Sequence, residues 1–362
     1  MKRGQVVAGV VAFVFVFGPA FGYVVGFRQP PVDNRAIAPA PAASAGWDAL
    51  DAVGPWASDR LAGRSTAVRG KSWFDFHVLR ELPASGKVVR GPNGYLFLGE
   101  DFTKACQQTP GFRQGLDGLA ALAEVIERSG RKVVFTAGPN KSSVVQPPSV
   151  VPEGQCALDG IASQNATLDA YEHPAWLGLR EKLTKSQTYW RTDSHWSGPG
   201  AAVFAQELAK KLNVTVPVRT TPDRVTKTAD LNVLLGLTGT ETPPSLQVST
   251  GTTVTPQQGY DAFDPTKVLY GVERWKTTPA TGLVAGKSVI IGDSFSYFAL
   301  GNLRPLFADG TFLWTGHVSE AELIAAIKGA DTVVLQIVQR SITPGHAFAT
   351  KAFRDKVAAA LR

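Results

Sequence analysis

Alternating blocks of apolar and polar residues divide most of the chain into strands and helices. Short apolar runs bounded by turn residues predict buried strands, and they occur at residues 94–98, 132–137, 288–292 and 332–338. Apolar residues spaced three and four apart predict helices, and they occur at residues 112–129, 197–212, 295–307, 319–329 and 348–362. This alternation favours an α/β fold with a mostly parallel sheet flanked by helices.

Two stretches do not follow the alternation. Residues 28–46 are dominated by Pro and Ala without an apolar period, which predicts a linker. Residues 214–286 are rich in Thr, Pro and Gly with short β-like runs, and we interpret them as an irregular insertion or a lobe that faces the substrate. The sequence therefore predicts one large domain over residues 47–362 that contains this insertion.

The amino-terminal segment indicates the compartment. Residues 4–27 carry no charge and follow Lys2 and Arg3, and a helix of this length can cross a hydrocarbon layer of roughly 30 Å. We predict an uncleaved signal anchor, a transmembrane helix over residues 1–27, because the apolar stretch is longer than that of a signal peptide. A cleaved signal peptide is the alternative. Since Lys2 and Arg3 favour a cytoplasmic amino terminus, a single pass through the cytoplasmic membrane would place the remaining chain outside the cytoplasm.

Composition narrows the classes of function. The chain has 362 residues, of which 44% are hydrophobic, and a net charge of +7, so a substantial core is available and global disorder is excluded. Lys and Arg are dispersed, and nucleic acid is therefore not an expected partner. The charge is compatible with an anionic surface or polymer. Cys106 and Cys156 can form one disulfide in an oxidising space; two unrelated buried thiols are the alternative.

Two short motifs contain candidate catalytic residues. Ser294 follows the 288–292 strand in the sequence Gly-Asp-Ser-Phe and opens the next helix, where the functional edge of an α/β sheet lies. A nucleophilic serine needs a base, and the base needs an orienting acceptor. Asp193 and His195 in Thr-Asp-Ser-His-Trp offer both. The alternatives are a serine that caps its helix and a structural Asp–His pair. No ligand spacing in the sequence predicts a metal site.

Together with neighbouring residues, these motifs resemble the alginate O-acetyltransferase family of the AlgJ and AlgX type. The matching blocks follow the family's order at residues 91–101, 138–144, 189–201, 292–295 and 333–341. The resemblance implies a circularly permuted SGNH-hydrolase-like fold. It implies that Ser294 is the nucleophile, His195 the general base and Asp193 its orienter. It also suggests that Arg340 and Lys141 bind the substrate.

The resemblance implies an enzyme with a Ser-His-Asp triad. Its expected function is extracytoplasmic O-acetylation, in which an acyl group such as acetyl passes through a serine acyl-enzyme to hydroxyls of a cell-envelope polysaccharide or exopolysaccharide. No bound cofactor is expected, since a membrane-bound acyltransferase partner would export the acyl group. A carbohydrate acetylesterase and a non-catalytic glycan-binding assembly protein are the alternatives. The chain departs from the family at Ser197, Gln336 and Gln339, where the family tends to have Asn or Glu.

Overall fold

The computed structural model describes Phe21, Val25 and residues 38–60, 63–82, 86–184, 187–258 and 271–362. Apart from Phe21 and Val25, the predicted signal anchor over residues 1–27 lies outside this part of the chain, as do residues 28–37 of the predicted linker. Among the helices in the described ranges, none combines the length and apolar character that a bilayer crossing requires. The anchor and its orientation stay predictions.

The described elements extend through most of the chain. The helices are α1 (Ala49–Arg60), α2 (Arg64–Phe74), α3 (Gly99–Arg128), α4 (Gln155–Asp169), α5 (Arg180–Leu183), α6 (Gly198–Lys211), α7 (Asp230–Leu234), α8 (Ser294–Leu303), α9 (Glu320–Gly329) and α10 (Lys351–Leu361). The strands are β1 (Val88–Arg90), β2 (Leu96–Leu98), β3 (Lys132–Gly138), β4 (Arg219–Arg224), β5 (Lys227–Thr228), β6 (Thr240–Glu241), β7 (Pro244–Ser249), β8 (Thr253–Gln258), β9 (Val272–Thr278), β10 (Val284–Gly292), β11 (Phe307–Trp314) and β12 (Thr332–Val338).

Contacts divide the chain into two compact units. The smaller unit contains the described residues up to Val88 together with Thr228–Thr240, and its helices are α1, α2 and α7. The larger unit contains Val89–Lys227 and Glu241–Arg362. All the candidate catalytic residues belong to the larger unit, and its architecture determines their positions.

A six-stranded sheet in the order β3-β12-β10-β11-β9-β8 forms the centre of the larger unit. The pairs from β3 to β11 are parallel, whereas β9 pairs antiparallel with β11 and with β8. The predicted mostly parallel sheet is therefore corrected to a mixed one. The difference arises from residues 214–286, which we expected to be irregular, because this segment supplies both antiparallel strands.

The strand β11 is not predicted by the sequence pattern. Its Gly310 and Asp309 are residues that weaken a strand signal. In the structure Gly310 pairs with Trp275 of β9, and a Cβ at Gly310 would lie only 2.2 Å from the Trp275 ring. The glycine is required because the indole lies over the backbone of β11.

Side chains alternate between two buried cores, one on each face of the central strands. One core contains the odd-numbered members of three strands together with residues of α3, α9 and α10, including Val133, Phe135, Val289, Ile291, Val333 and Leu335. The other contains the even-numbered members together with residues of α6 and α8, including Val134, Ile290, Val334, Phe204 and Phe295. Burial of both faces explains why these strands are continuous apolar runs in the sequence.

The parallel strands β3, β12 and β10 bring their carboxyl ends to one edge of the sheet. Gly138, Val338 and Gly292 are the last residues of these strands. The segments that follow them therefore lie near one another, which is where ligands and catalytic groups gather in α/β folds.

A disulfide between Cys106 and Cys156 joins α3 to α4 across 50 residues of sequence. Beside it lies a third buried cluster that includes Phe97, Phe102 and Ile161. The predicted helix over residues 112–129 extends back to Gly99 through Pro110, so it reaches this bond even though sequence rules place a helix boundary near a proline.

Replacing both cysteines by serine should lower the free energy of unfolding by about 2–4 kcal/mol, because closing a loop of this length restricts the unfolded chain. Urea unfolding followed by circular dichroism measures the change. Reduction should lower the stability of the natural protein and leave Cys106→Ser/Cys156→Ser unchanged. Equal unfolding midpoints for the oxidised protein and the double variant would contradict this expectation.

Candidate active site

Ser294 stands at the first position of α8, immediately beyond β10. Gly292 ends the strand, and a Cβ there would lie 2.2 Å from the Ser296 Oγ, so the turn requires a glycine. Asp293 accepts hydrogen bonds from the amides of Phe295 at 2.8 Å and Val338 at 2.6 Å. This carboxylate caps α8 and ties the turn to the end of β12, which fixes the position of Ser294.

His195 connects Ser294 to Asp193. Its Nε2 lies 2.8 Å from Ser294 Oγ, and its Nδ1 lies 2.7 Å from Asp193 Oδ1. Asp193 Oδ1 also accepts the backbone N–H of His195 at 3.0 Å, as expected for a tight loop. Both imidazole nitrogens are thus engaged, and the order Ser–His–Asp is that of a nucleophile, a base and an orienting acceptor.

The Asp193 carboxylate has no solvent exposure. Burial by itself would raise the pKa of Asp193. The hydrogen bond and charge of His195 and the nearby Lys227 ammonium outweigh this effect and hold the pKa well below its usual range. Lys227 Nζ lies 2.8 Å from Asp193 Oδ2. The carboxylate therefore stays ionised over the ordinary pH range and can stabilise a positively charged imidazole.

Aromatic rings restrict the orientation of the His195 imidazole. The imidazole of His195 lies 4.3 Å from the ring centroid of Phe298 and 5.1 Å from that of Phe295. Phe298 is not among the site residues predicted from the sequence. Its position four residues after Ser294 on one helix could have indicated it, since residues four apart share a helix face.

In the first turn of α8, one backbone amide is available to donate a hydrogen bond to a developing oxyanion. The amides of residues 295–297 bond to the Asp293 side chain and carbonyl and to Gln336 Oε1. The Ser294 amide is the member of this turn that has no bond to another described group. Because it adjoins the Ser294 Oγ, it can donate to an oxygen of a group attached there.

Lys141 is wholly buried, although the resemblance suggests a substrate-binding role. Its Nζ donates to the carbonyls of Leu96 at 2.7 Å and Arg191 at 3.1 Å, and it lies 5.6 Å from the ring centroids of Tyr95 and Phe97. Through the Arg191 carbonyl, Lys141 contacts the loop that carries Asp193. Its role in substrate binding stays a prediction.

Arg340 pairs with Asp101, with 3.3 Å between Nη1 and Oδ1. The Arg340 side chain keeps 14% exposure, so its role in substrate binding stays a prediction. The two glutamines that depart from the family pattern are buried and hydrogen-bonded. Gln336 accepts from Ser296, and Gln339 bonds to the Asn140 amide and to the Gln164 side chain.

A family model described as SGNH hydrolase-like domain, acetyltransferase AlgX, matches residues 88–296, more than half of the chain. The chain belongs to this AlgX family. The matched range contains Asp193, His195 and Ser294, and membership confirms the predicted SGNH-like α/β fold and the family resemblance.

One curated protein and two solved structures are similar to parts of this chain. Probable alginate O-acetylase AlgJ of Pseudomonas aeruginosa is 32% identical over 136 residues, which are 35% of this chain and 34% of that protein. The chain thus matches about a third of the length of this relative. Bacillus cereus PatB1 with a sulfonyl adduct aligns at a TM-score of 0.50 and 12% identity, over 71% of this chain and 97% of that one, and shows the fold. The O-acetyltransferase domain of Pseudomonas putida AlgJ aligns at a TM-score of 0.41 and 17% identity, over 75% and 98%.

Asp101 should make the stability of the protein depend on pH. Burial raises its pKa from 3.8 to about 6, against the opposing charges of Arg340 and Lys141. A carboxyl with a higher pKa in the folded state binds its proton more tightly when folded, so the free energy of unfolding falls as pH rises from about 4 to about 6. A shift of about two pKa units corresponds to about 3 kcal/mol.

Urea unfolding of the natural protein and of Asp101→Asn at pH 4 and pH 7 measures this effect. The stability of the natural protein relative to the variant should fall by about 2 kcal/mol between the two pH values, because the unfolded carboxyl is already partly ionised at pH 4. Asp117→Asn, which removes an exposed carboxylate from the same helix, is the control for losing one charge. A pH-independent difference for Asp101→Asn contradicts the assignment.

Proposed function

We propose that this protein is an extracytoplasmic O-acetyltransferase that carries an acetyl group on Ser294 and delivers it to hydroxyls of a polysaccharide. The hydrogen-bonded chain from Ser294 Oγ through His195 to the ionised Asp193 carries the proposal. Membership of the AlgX family supports acetyl transfer as the reaction. The name of the relative, probable alginate O-acetylase, supports a polysaccharide acceptor of the alginate type.

The first half-reaction forms the acyl-enzyme. His195 Nε2 takes the proton of Ser294 Oγ while Oγ bonds to the acetyl carbonyl carbon of the donor. The carbonyl oxygen becomes an oxyanion, which the Ser294 amide stabilises by about 3 kcal/mol if it acts as such donors do. Collapse breaks the bond to the donor oxygen, and that oxygen takes the proton from His195. Asp193 stays ionised and stabilises the imidazolium.

The second half-reaction transfers the acetyl group. The acceptor hydroxyl gives its proton to His195 Nε2 and attacks the carbonyl carbon of acetyl-Ser294. The bond to Ser294 Oγ then breaks, and Oγ recovers a proton from the imidazolium. Water in place of the sugar hydroxyl gives an esterase with the same residues, so the alternative of a carbohydrate acetylesterase differs only in the acceptor.

The source of the acetyl group and the location of the enzyme are inferred from the family resemblance and the amino-terminal sequence. A membrane-bound acyltransferase exports the acetyl group, and an anchor over residues 1–27 keeps the enzyme near this partner. A glycan-binding assembly protein without catalysis is the less favoured reading, because such a role requires none of the alignment between His195 and Ser294.

Incubation of the full chain with 4-nitrophenyl acetate should add one acetyl group to the peptide that carries Ser294. Mass spectrometry of the digested protein measures the adduct. Ser294→Ala should lose the adduct and reduce ester turnover by about ten-thousandfold or more, since the members of such a triad act as a unit. Ser163→Ala, which removes an exposed hydroxyl from α4, is the matched control.

A chase with deacetylated alginate oligosaccharides or water separates the two reactions. Movement of the acetyl group to sugar supports the transferase, and loss to water alone in the presence of these acceptors supports the esterase. No adduct and no turnover in a folded sample would overturn both and favour the glycan-binding reading.

Asp193→Asn should leave the protein folded but lower the rate of Ser294 acetylation by about ten-thousandfold, because an amide cannot hold the imidazole in the required tautomer. Stopped-flow release of 4-nitrophenolate measures this rate. Asp159→Asn, an exposed position, is the control. Unchanged acetylation in Asp193→Asn would remove Asp193 from the mechanism.

A further inference from the structure

The second oxygen of the Asp193 carboxylate has its own cation. Oδ1 accepts both hydrogen bonds from His195, whereas Lys227 Nζ lies 2.8 Å from Oδ2. Asp193 has no exposed side-chain surface, and the Lys227 side chain is 16% exposed. The ion pair is therefore largely buried. Removing one partner of a buried ion pair is costly because the remaining charge is poorly solvated.

Aromatic rings confine the Lys227 ammonium. Its Nζ lies 3.5 Å from the ring centroid of Phe298 and 5.5 Å from that of Trp190. Phe298 also contacts the imidazole of His195. One ring thus packs against both the base and the cation, and its π face attracts the ammonium.

Glu241 holds the backbone of the same loop. Its carboxylate accepts the amides of Arg191 and Thr192, both at 2.8 Å, and the Thr192 hydroxyl at 2.7 Å. Glu241 and Lys227 both come from residues 214–286, the segment that the sequence predicts to be an insertion. Two charged side chains of this segment therefore hold the loop, one at its amides and one at its carboxylate.

We propose that Lys227 is a positioning residue, whose ammonium holds the Asp193 carboxylate in the orientation that directs His195 toward Ser294. This inference rests on the proposed function, because it assigns Lys227 a role in a reaction that uses His195 as the base. Lys227 acts through Asp193. Without the ammonium, the buried carboxylate loses the cation at Oδ2 and can turn, and the imidazole loses its alignment with Ser294.

The rate at which phenylmethanesulfonyl fluoride modifies Ser294 in the full chain tests this role. Ser294 Oγ displaces fluoride from sulfur, and His195 takes the hydroxyl proton, so the rate reports the activation of the nucleophile without a natural substrate. Lys227→Met should lower the rate on the order of tenfold to hundredfold, as large as the effect of losing an outer partner that orients a metal ligand. Lys227→Arg should recover most of the rate, because it restores the charge.

Hydrolysis of 4-nitrophenyl acetate provides a second readout. Because Lys227 acts through Asp193, Lys227→Met should lower kcat and leave KM unchanged. Lys210→Met makes the same substitution in the exposed ion pair with Glu207 and should match the natural protein. Equal sulfonylation rates for the Lys227 and Lys210 variants would overturn the inference, as would a change in KM alone. Failure of the natural protein to react at Ser294 would overturn the proposed function instead.

A double variant keeps the test decisive if Lys227→Met does not fold. Asp193→Asn/Lys227→Met removes both charges and leaves no buried ion without a partner. If Lys227 acts through Asp193, the double variant should react with the sulfonyl fluoride at the rate of Asp193→Asn alone. A further tenfold loss in the double variant would show that Lys227 acts independently of Asp193 and would contradict the inference.

Discussion

A carboxylate that is ionised and fully buried is the constraint on which the site depends. Asp193 retains its charge only because neighbouring groups compensate for the lost hydration. His195 supplies two donors to one oxygen, and Lys227 supplies a cation to the other. These contacts also determine the orientation of the Asp193 carboxylate, since a carboxylate held at both oxygens cannot rotate. The orientation of the imidazole, and with it the alignment with Ser294, follows from how this one charge is compensated.

A second buried charge connects sequence blocks that lie far apart along the chain. The Lys141 ammonium binds the carbonyls of Leu96 and Arg191, and it thereby connects the blocks at residues 91–101, 138–144 and 189–201. The blocks are therefore parts of one support for the loop that carries Asp193.

The sequence predicts the centre of this structure better than its periphery. The strands at residues 132–137 and 332–338 were predictable because burial of both faces demands continuous apolar runs. The candidate catalytic residues were predictable because each lies in a short local motif beside a regular element. Lys227 and Glu241 were not, because their function comes from contacts with a loop more than thirty residues earlier in the chain. The strand β11 was missed because packing against Trp275 selects a glycine that strand propensity disfavours.

The arrangement of the six-stranded sheet bears on how the protein behaves when crowded. At one edge, Phe135 of β3 exchanges hydrogen bonds with Ala175 and Leu177, so a neighbouring segment already occupies this edge. At the other edge, β8 contains Pro256, followed by an irregularity in the register. Prolines, bulges and covering loops prevent sheets from adding strands of other molecules. The covered edge at β3 and the proline in β8 therefore disfavour edge-to-edge aggregation at high local concentration.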